Sequence, residues 1–436
     1  MRILRFLYTN SRFEALSPLT LVRRLHARSF EELLHNADDQ KFKCAVTGPT
    51  QVFLRPLTPS FYLLNYLKLR NNNNLSNLKP AEFQLILRSF KLFNNGNRLT
   101  EREKQTAIKI LNLLLHDANE LGIQLNIGDF THMLRIAMYI GYEPVADKVI
   151  KTVKKNELRP SLNYLNCVLG NYGGCRWSLN KFNSPAWKGS PTQEPVSTAM
   201  LEAVDIDFPR NGFAPDSTTY DYLIVGLARD GKIEEIRDLL KRIWGIGQGK
   251  PGERLVERNN STYPTSHTIL SVASAFGYLG DIPAAVELCK ELSETYKIRF
   301  SELAWCYIIY WSTVAPKFKS AAGITNMSYP DIYSRMYYLS NKDRVPYPKI
   351  YQTVIAYYKK TGKSGLIERV CQRWMKHLLH SQRTLTMKEK EKQKEMLIKE
   401  ISFIISSKKE DKPSSQNRIR VKWMKLLHQL QFYLKS

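Results

Sequence analysis

The sequence predicts an all-α protein built from stacked pairs of antiparallel helices. Apolar residues recur at helical spacing along most of the chain. A glycine recurs eleven residues after a residue of a predicted first helix, and a second amphipathic pattern follows each of these glycines. With 436 residues, 43% of them hydrophobic, the chain can also bury a substantial core.

One such helix pair lies between Pro215 and Ile243, in "PDSTTYDYLIVGLARDGKIEEIRDLLKRI". The apolar residues of "YDYLIVGLA" predict a first helix, and those of "IEEIRDLLKRI" predict a second. Asp216 or Ser217 is suited to cap the first helix, because short polar side chains accept hydrogen bonds from the first free N–H groups. Gly231 is suited to a left-handed turn between the helices.

The same construction occurs four times. The eleven-residue spacing runs from Phe130 to Gly141, from Tyr220 to Gly231, from Ile269 to Gly280 and from Tyr351 to Gly362. One helix pair cannot bury its apolar face alone, so recurring pairs are expected to stack on one another.

This pattern resembles the pentatricopeptide repeat family, and the resemblance covers roughly residues 80–382. It implies a right-handed solenoid of antiparallel helix pairs, with degenerate repeats. The segments "GIQLN", "ELRPS", "GFAPD" and "DRVPY" stand where the family closes its repeats. The predicted repeats are 80–126, 127–161, 162–216, 217–265, 266–300, 301–347 and 348–382.

Three of these repeats contain insertions, which are expected to form loops at one edge of a solenoid. The turn-rich stretch 177–197 interrupts the third repeat, and "GIGQGKPGERLVERNNSTYPTS" and "VAPKFKSAAGITNMSYPD" lengthen the fourth and sixth. Residues 29–79 are predicted to form an N-terminal capping region. Residues 383–436 form a basic helical tail, which is predicted either to contact phosphates or to be a solvated pair of charged helices.

Residues 1–28 differ from the rest of the chain. They contain six arginines, one acidic residue and no lysine. An arginine-rich, acid-poor amphipathic segment is typical of a mitochondrial transit peptide, and the alternative is a basic helix with another use. We therefore expect import into the mitochondrial matrix and cleavage near Arg28.

The net charge of +25 favours a polyanionic partner, either nucleic acid or an anionic membrane surface. The alternative is a presequence together with a solvated basic surface.

The six cysteines form no CxxC pair and the histidines form no metal-ligand cluster, so no cofactor is expected. No P-loop or GxSxG motif occurs, and we expect neither catalysis nor a small-molecule substrate.

The family resemblance implies that the fifth and the closing residue of each repeat select one RNA base. Carried onto this sequence, it nominates nine RNA-binding residues: Gln84, Asn126, Thr131, Ser161, Asn166, Asp216, Asp221, Thr265 and Gln352. Asn166 is expected to be exposed and to pair with Asp216 on a base edge, usually that of uracil. For each polar fifth residue the alternative is an ordinary solvated helix position.

Two repeats depart from the family pattern. Leu270 with Phe300, and Trp305 with Tyr347, cannot form the usual base-edge contacts, because neither Leu270 nor Trp305 offers the amide or hydroxyl group that suits the fifth position. The aromatic residues of "WCYIIYWS" offer either stacking surfaces for bases or packing in the core, and their helical spacing favours the core.

A narrower resemblance links residues 223–362 to the fungal ATPase expression proteins. It implies that the protein helps to translate or stabilise the mitochondrial mRNA of ATP synthase subunit 9. The sequence is thus interpreted as a protein that binds a single-stranded mitochondrial transcript and supports its translation, maturation or stability. The alternative is a protein-binding scaffold on the mitoribosome or an assembly complex. Peripheral association with the inner membrane is compatible with either interpretation.

Overall fold

A computed structural model describes residues 66–67, 69–71, 75–78, 80–89, 101–140, 143–173, 196–247, 255–314, 330–381, 386–407, 421, 423–425 and 428. The described residues are helical and contain no strand, which confirms the predicted all-α class. The predicted transit peptide and most of the turn-rich insertion lie outside the described residues. No helix among the described residues is long and apolar enough to span a bilayer.

Sixteen α-helices are described, together with a 3-10 turn at Leu75–Asn77 and a π-helix at Ala203–Asp207. In chain order they are α1 (Pro80–Ser89), α2 (Glu101–Glu120), α3 (Ile127–Ile140), α4 (Glu143–Lys155), α5 (Leu162–Tyr172), α6 (Val196–Glu202), α7 (Phe208–Arg210), α8 (Ser217–Arg229), α9 (Ile233–Trp244), α10 (Ser266–Leu279), α11 (Ile282–Tyr296), α12 (Glu302–Val314), α13 (Pro330–Ser340), α14 (Pro348–Lys360), α15 (Ser364–His380) and α16 (Met387–Ser407).

The chain divides into two compact units. The first comprises Met1–Ser190 with Asp205–Phe213, and the second comprises Pro191–Val204 with Ala214–Ser436. In the first unit α3 packs against α1, α4 and α5. In the second unit the first helices α8, α10, α12 and α14 pack in series, and each also packs against the helix that follows it. Each unit therefore contains stacked helix pairs.

The starts of the first helices follow the predicted register. Described first helices begin at Pro80, Ile127, Leu162, Ser217, Ser266 and Pro348, each the first residue of a predicted repeat, and α12 begins one residue after Ser301. Three of the four recurring glycines take left-handed conformations, with φ of +77° at Gly231, +85° at Gly280 and +68° at Gly362, and the fourth, Gly141, lies outside the described residues. Residues with a Cβ adopt this region at a cost, which explains the recurring glycine.

Large aromatic side chains fill the core of the second unit. Trp305 and Trp311 on α12 and Trp374 on α15 are almost completely buried. Gly277 lets α10 approach α12 closely, because a Cβ at this position would lie 2.8 Å from the Cβ of Trp311. The small residues that enrich the first helices thus set the spacing between neighbouring pairs.

The first part of the basic tail closes the second unit. Helix α16 packs against α15, and Leu397 and Ile401 are fully buried. At its edge, the Lys359 ammonium of α14 lies 2.6 Å from a carboxylate oxygen of Glu400. The prediction of a fully solvated helix is therefore wrong for α16, because the exposed end of a helix stack offers an apolar face that needs a cover. Phosphate binding by the tail stays a prediction.

Candidate nucleic-acid interface

The nominated closing residues cap the first helices of the following repeats. In the first unit, the Asn126 side-chain oxygen accepts hydrogen bonds from the backbone N–H groups of Gly128 (2.9 Å) and Asp129 (3.1 Å) at the start of α3. The Ser161 hydroxyl oxygen accepts from the Tyr164 N–H (3.2 Å) at the start of α5. These are the donors that a helix start leaves free.

In the second unit the same position forms capping boxes. The Asp216 carboxylate accepts from the Thr219 N–H (2.9 Å), and the Asp216 N–H donates to the Thr219 hydroxyl oxygen (3.1 Å). The Thr265 hydroxyl oxygen accepts from the His267 N–H (3.1 Å), and the Thr265 N–H donates to the Thr268 hydroxyl oxygen (3.0 Å). The closing residues therefore start the following helices, and contact with a base would be a second role for each of them.

Three of the nominated fifth residues are buried. Thr131 is 6% exposed, and its hydroxyl donates to the Ile127 carbonyl (2.6 Å). Asn166 is 3% exposed, so the expectation that it is solvent-exposed is wrong. The reason is that α5 packs against α3, and the residues on either side of Asn166 along the helix are buried as well. Asn166 belongs to the first compact unit and Asp216 to the second, and their pairing on a base stays a prediction.

The other two polar fifth residues are half-buried, Gln84 on α1 and Gln352 on α14. The Gln84 amide donates to the Gln124 carbonyl (3.5 Å), two residues before the closing residue Asn126. One turn further along α1, Arg88 donates to the Asn126 side-chain oxygen (3.4 Å). The structure thus brings the fifth and closing positions of repeat 80–126 into one polar cluster.

Arg88 is a member of this cluster that the sequence interpretation missed. Its guanidinium also donates to the buried Asp129 carboxylate (2.8 Å), which ties α1 to the start of α3. A signal was available, because Arg88 follows Gln84 by four residues and so shares its helix face. The family pattern considers only the fifth and closing residues of a repeat, so it does not include Arg88.

Asp221 is the most unusual of the nominated residues. It is 2% exposed on α8, and its Oδ1 atom has no hydrogen-bond partner among the described residues. Burial raises the pKa of this carboxyl group well above its ordinary value. A hydrogen bond with the Thr268 side chain opposes the increase, and the negative charge of Asp216 adds to it.

Thr268 connects Asp221 to the closing residue of the same repeat. The Thr268 side chain bonds to Asp221, and its hydroxyl oxygen accepts from the Thr265 N–H. The fifth and closing positions of repeat 217–265 therefore share one hydrogen-bonded chain between α8 and α10. Within the described residues, these hydrogen bonds leave the buried Oδ1 of Asp221 without a partner.

The two repeats that depart from the family pattern carry buried apolar side chains at their fifth positions, whereas the closing residue Phe300 is half-buried and the closing residue Tyr347 is 36% exposed. Leu270 is 6% exposed and Trp305 is 1% exposed. The Phe300 ring stacks on Trp305, with ring centres 4.7 Å apart. Tyr307 and Trp311 are also buried, which confirms core packing rather than a stacking surface for those two residues.

The described residues also contain four buried free thiols, Cys167, Cys289, Cys306 and Cys371. Burial raises the pKa of Cys371 to about 12, so this group stays a neutral thiol at physiological pH. No group of His, Cys, Asp or Glu in the described part of the chain is arranged to hold a metal ion.

Two family models match this chain, one within the first compact unit and one within the second. The family described as pentatricopeptide repeat domain matches residues 113–175, and the family described as mitochondrial ATPase expression matches residues 217–325. Both resemblances predicted from the sequence are thereby confirmed.

Among solved structures, pentatricopeptide repeat protein PPR10 from maize has 14% identity and a TM-score of 0.31, over 95% of this chain and 66% of that chain. PPR10 in complex with an 18-nt psaJ RNA element has 11% identity and a TM-score of 0.29, over 78% of this chain and 52% of that chain. This chain therefore spans between half and two thirds of those proteins.

The curated relative is similar over a much greater length. The protein named "Pentatricopeptide repeat-containing protein 6, mitochondrial", from Schizosaccharomyces pombe, is 40% identical over 434 residues. That alignment covers 99% of this chain and 98% of the relative. The names of this relative and of the matched expression family are both mitochondrial, which supports the predicted mitochondrial location. Because the identity is high and extends over nearly all of both sequences, the chain belongs to the pentatricopeptide repeat family.

Proposed function

We propose that this protein binds a single-stranded mitochondrial RNA and supports the translation, maturation or stability of that transcript. Membership of the pentatricopeptide repeat family over 99% of the chain is the observation that carries the proposal. The PPR10 relative is an RNA-bound example in that family by its own title. The net charge of +25 supports a polyanionic ligand.

The mechanism we propose uses the regular step between first helices. Repeat proteins read single-stranded RNA with two or three side chains for each unstacked base. The two polar clusters that fit this role are Gln84 with Asn126 in the first unit, and Asp221 with Thr265 in the second. In the first, Gln84 bonds to the Gln124 carbonyl and Arg88 bonds to Asn126. In the second, Thr268 links Asp221 to Thr265, and one Asp221 oxygen has no hydrogen-bond partner within the described part of the chain.

The proposal includes a location in the mitochondrial matrix and a candidate transcript. The mRNA of ATP synthase subunit 9 is the candidate, because the matched family is described by mitochondrial ATPase expression. The role needs no catalysis, since a strand held along the repeats is kept single-stranded and accessible. We therefore propose a non-enzymatic RNA chaperone or translation factor.

A protein-binding scaffold, for instance on the mitoribosome, is the second candidate. The observation that favours it is an exposed apolar stripe on α13, where Ile332 is 51% exposed and Leu339 is 62% exposed. Exposed apolar side chains on one helix face are typical of protein contacts.

Crosslinking in intact mitochondria, followed by sequencing of the bound RNA, tests the proposal directly. We expect enrichment of one or a few transcripts, with the subunit 9 mRNA among them. The purified full chain should also bind the matching single-stranded RNA with a strong dependence on salt, and should bind duplex DNA of the same sequence much more weakly. Recovery of ribosomal proteins without any enriched RNA would reject the proposal in favour of the scaffold.

A further inference from the structure

Helix α4 carries a row of lysines that the proposed reading mechanism does not use. We call Lys148, Lys151 and Lys155 the basic ridge. They are spaced by three and four residues, so they share one helix face. The rise of 1.5 Å per residue separates successive ridge residues by about 4.5 and 6 Å along the helix axis. All three are exposed.

The basic ridge lines a surface groove of about 440 Å³. Pro144, Asp147 and Thr152, also on α4, complete its described lining. The Thr152 hydroxyl donates to the Lys148 carbonyl (2.8 Å) and is therefore engaged within the helix. Asp147 is the single acidic residue of this lining, so three lysines and one aspartate give the groove a net charge of +2. None of the three lysines forms an ion pair with a described residue.

Stabilisation of the helix C-terminus by positive charge does not explain why these three lysines lie on α4. Cations stabilise a helix at its C-terminus, but that effect is confined to the last turn. Lys155 lies in the last turn of α4, whereas Lys148 and Lys151 lie further towards the N-terminus. Nor is an unpaired row of this kind general among second helices: α11 carries three glutamates and a single lysine, and in the comparable row of α15 the central Arg373 is paired with Asp331.

We propose that the basic ridge of α4 is a second, sequence-independent contact for the phosphate backbone of the bound RNA, an inference that rests on the proposed function. Lysine binds phosphate as a point charge without a fixed geometry, which suits contacts that do not read bases. Helix α4 is the second helix of its pair, so the ridge is separate from the fifth residues, which all lie on first helices. Phosphate contacts position the strand, and base contacts select it.

The test compares two triple variants of the full chain. In the ridge variant, Lys148→Gln, Lys151→Gln and Lys155→Gln remove three charges from α4. The matched control removes three exposed cations of the second unit by Lys342→Gln, Arg369→Gln and Lys376→Gln. Glutamine is a good helix former, so both variants should keep the fold, and circular dichroism checks this.

RNA affinity is then measured between 50 and 200 mM salt with the native transcript and with an unrelated single strand. Each lost phosphate contact should reduce the slope of log K against log salt by about 0.7, and three should reduce it by about 2. The affinity deficit of the ridge variant should therefore shrink about 20-fold between 50 and 200 mM salt, equally for both RNAs. The control should keep the wild-type slope.

Each other outcome overturns a specific claim. If wild type binds RNA but the ridge variant keeps the wild-type slope, or the control loses as much, this inference is wrong while the proposed function stands. If wild type binds no RNA, the proposed function fails and the inference fails with it. If the ridge variant loses binding to phosphatidylserine vesicles but keeps its RNA affinity, the ridge serves a membrane surface and the inference is rejected.

Discussion

Repeats 217–265 and 301–347 place very different side chains at the same position. The fifth residue is Asp221 in the first of these repeats and Trp305 in the second, and they are 2% and 1% exposed. Asp221 keeps a carboxyl oxygen without a partner among the described residues, whereas Trp305 is stacked by Phe300 and met edge-on by Tyr337. Equal burial at these two positions therefore accompanies opposite contributions to the free energy of folding.

A buried polar group without a partner costs free energy, whereas a buried aromatic ring contributes strongly to stability. One stack of first helices thus contains a position that destabilises the free protein and a position that stabilises it. A residue that costs stability is a good candidate for a role in ligand binding. The comparison teaches that burial alone does not separate a candidate binding position from core.

Replacement of the aromatic residue should have the largest effect. Trp305→Ala should reduce the free energy of unfolding by about 3–5 kcal/mol, because it removes a fully buried ring and leaves a cavity. Urea denaturation of the purified protein measures this loss. Trp305→Phe is the control and should cost much less. If Trp305→Ala weakened RNA binding and left stability intact, Trp305 would be a base platform and the contrast with Asp221 would collapse.

The close approach of α10 and α12 predicts the next effect. Gly277→Ala should destabilise the protein by up to about 3 kcal/mol, because the new Cβ would meet the Trp311 side chain at its backbone-attached end, which has no room to move. Gly365→Ala on α15 is the matched control, since nothing lies within 4 Å of its added Cβ. The control should be neutral or slightly stabilising. Equal effects of the two substitutions on the midpoint of unfolding would show that helix spacing does not limit this packing.

Asp221 should respond in the opposite direction from Trp305. Its raised pKa means that the folded state holds a proton that the unfolded chain loses above pH 3.8. Stability contributed by this group is therefore present below pH 3.8 and falls as pH rises towards the folded pKa. Asp221→Asn should remove that fall, because an amide does not ionise, and should therefore stabilise the protein at neutral pH by about 1.4 kcal/mol for each pH unit over which the wild-type stability falls.

Urea denaturation at several pH values between 4 and 8 measures the Asp221 effect. The exposed Asp238→Asn on α9 is the control, and it should leave the pH profile unchanged. If Asp221→Asn destabilised the protein at neutral pH, the carboxylate would be serving a structural role, and the comparison with Trp305 would lose its basis.

The capping residues should give the smallest effect. Asp216→Ala removes the capping box at the start of α8 and should cost about 1 kcal/mol. Asp216→Asn keeps a capping oxygen, so it should retain most of the stability. A change in RNA base preference with Asp216→Asn, measured by binding to single-stranded oligonucleotides, would then report base contact rather than capping. If both variants bound RNA like wild type, Asp216 would be a helix cap alone.

The repeat register was predictable because its determinants are local. A helix start depends on a capping side chain and the N–H groups two or three residues away, as at Ser161, Asp216 and Thr265. A left-handed turn depends on a single glycine, as at Gly231 and Gly280. Such signals can be read without knowing what packs against the helix.

The candidate site was less predictable because it depends on neighbours that are distant in sequence. Arg88 reaches Asn126 across 38 residues. Thr268 on α10 reaches Asp221 on α8 across the whole of α9 and the insertion that follows it. Spacing within one repeat shows neither contact, so the sequence nominated positions without identifying the side chains that meet there.

The sequence by itself determined the helical class, the register of the first helices and their turn glycines, because each follows from interactions within a few residues. Only the tertiary structure decided which polar residues are covered. It buried Asn166, left an oxygen of Asp221 without a hydrogen-bond partner among the residues that are described, and placed α16 over the end of the second unit. The physical reason is that a 3.6-residue period defines the faces of a helix, whereas burial depends on which other helix lies against each face.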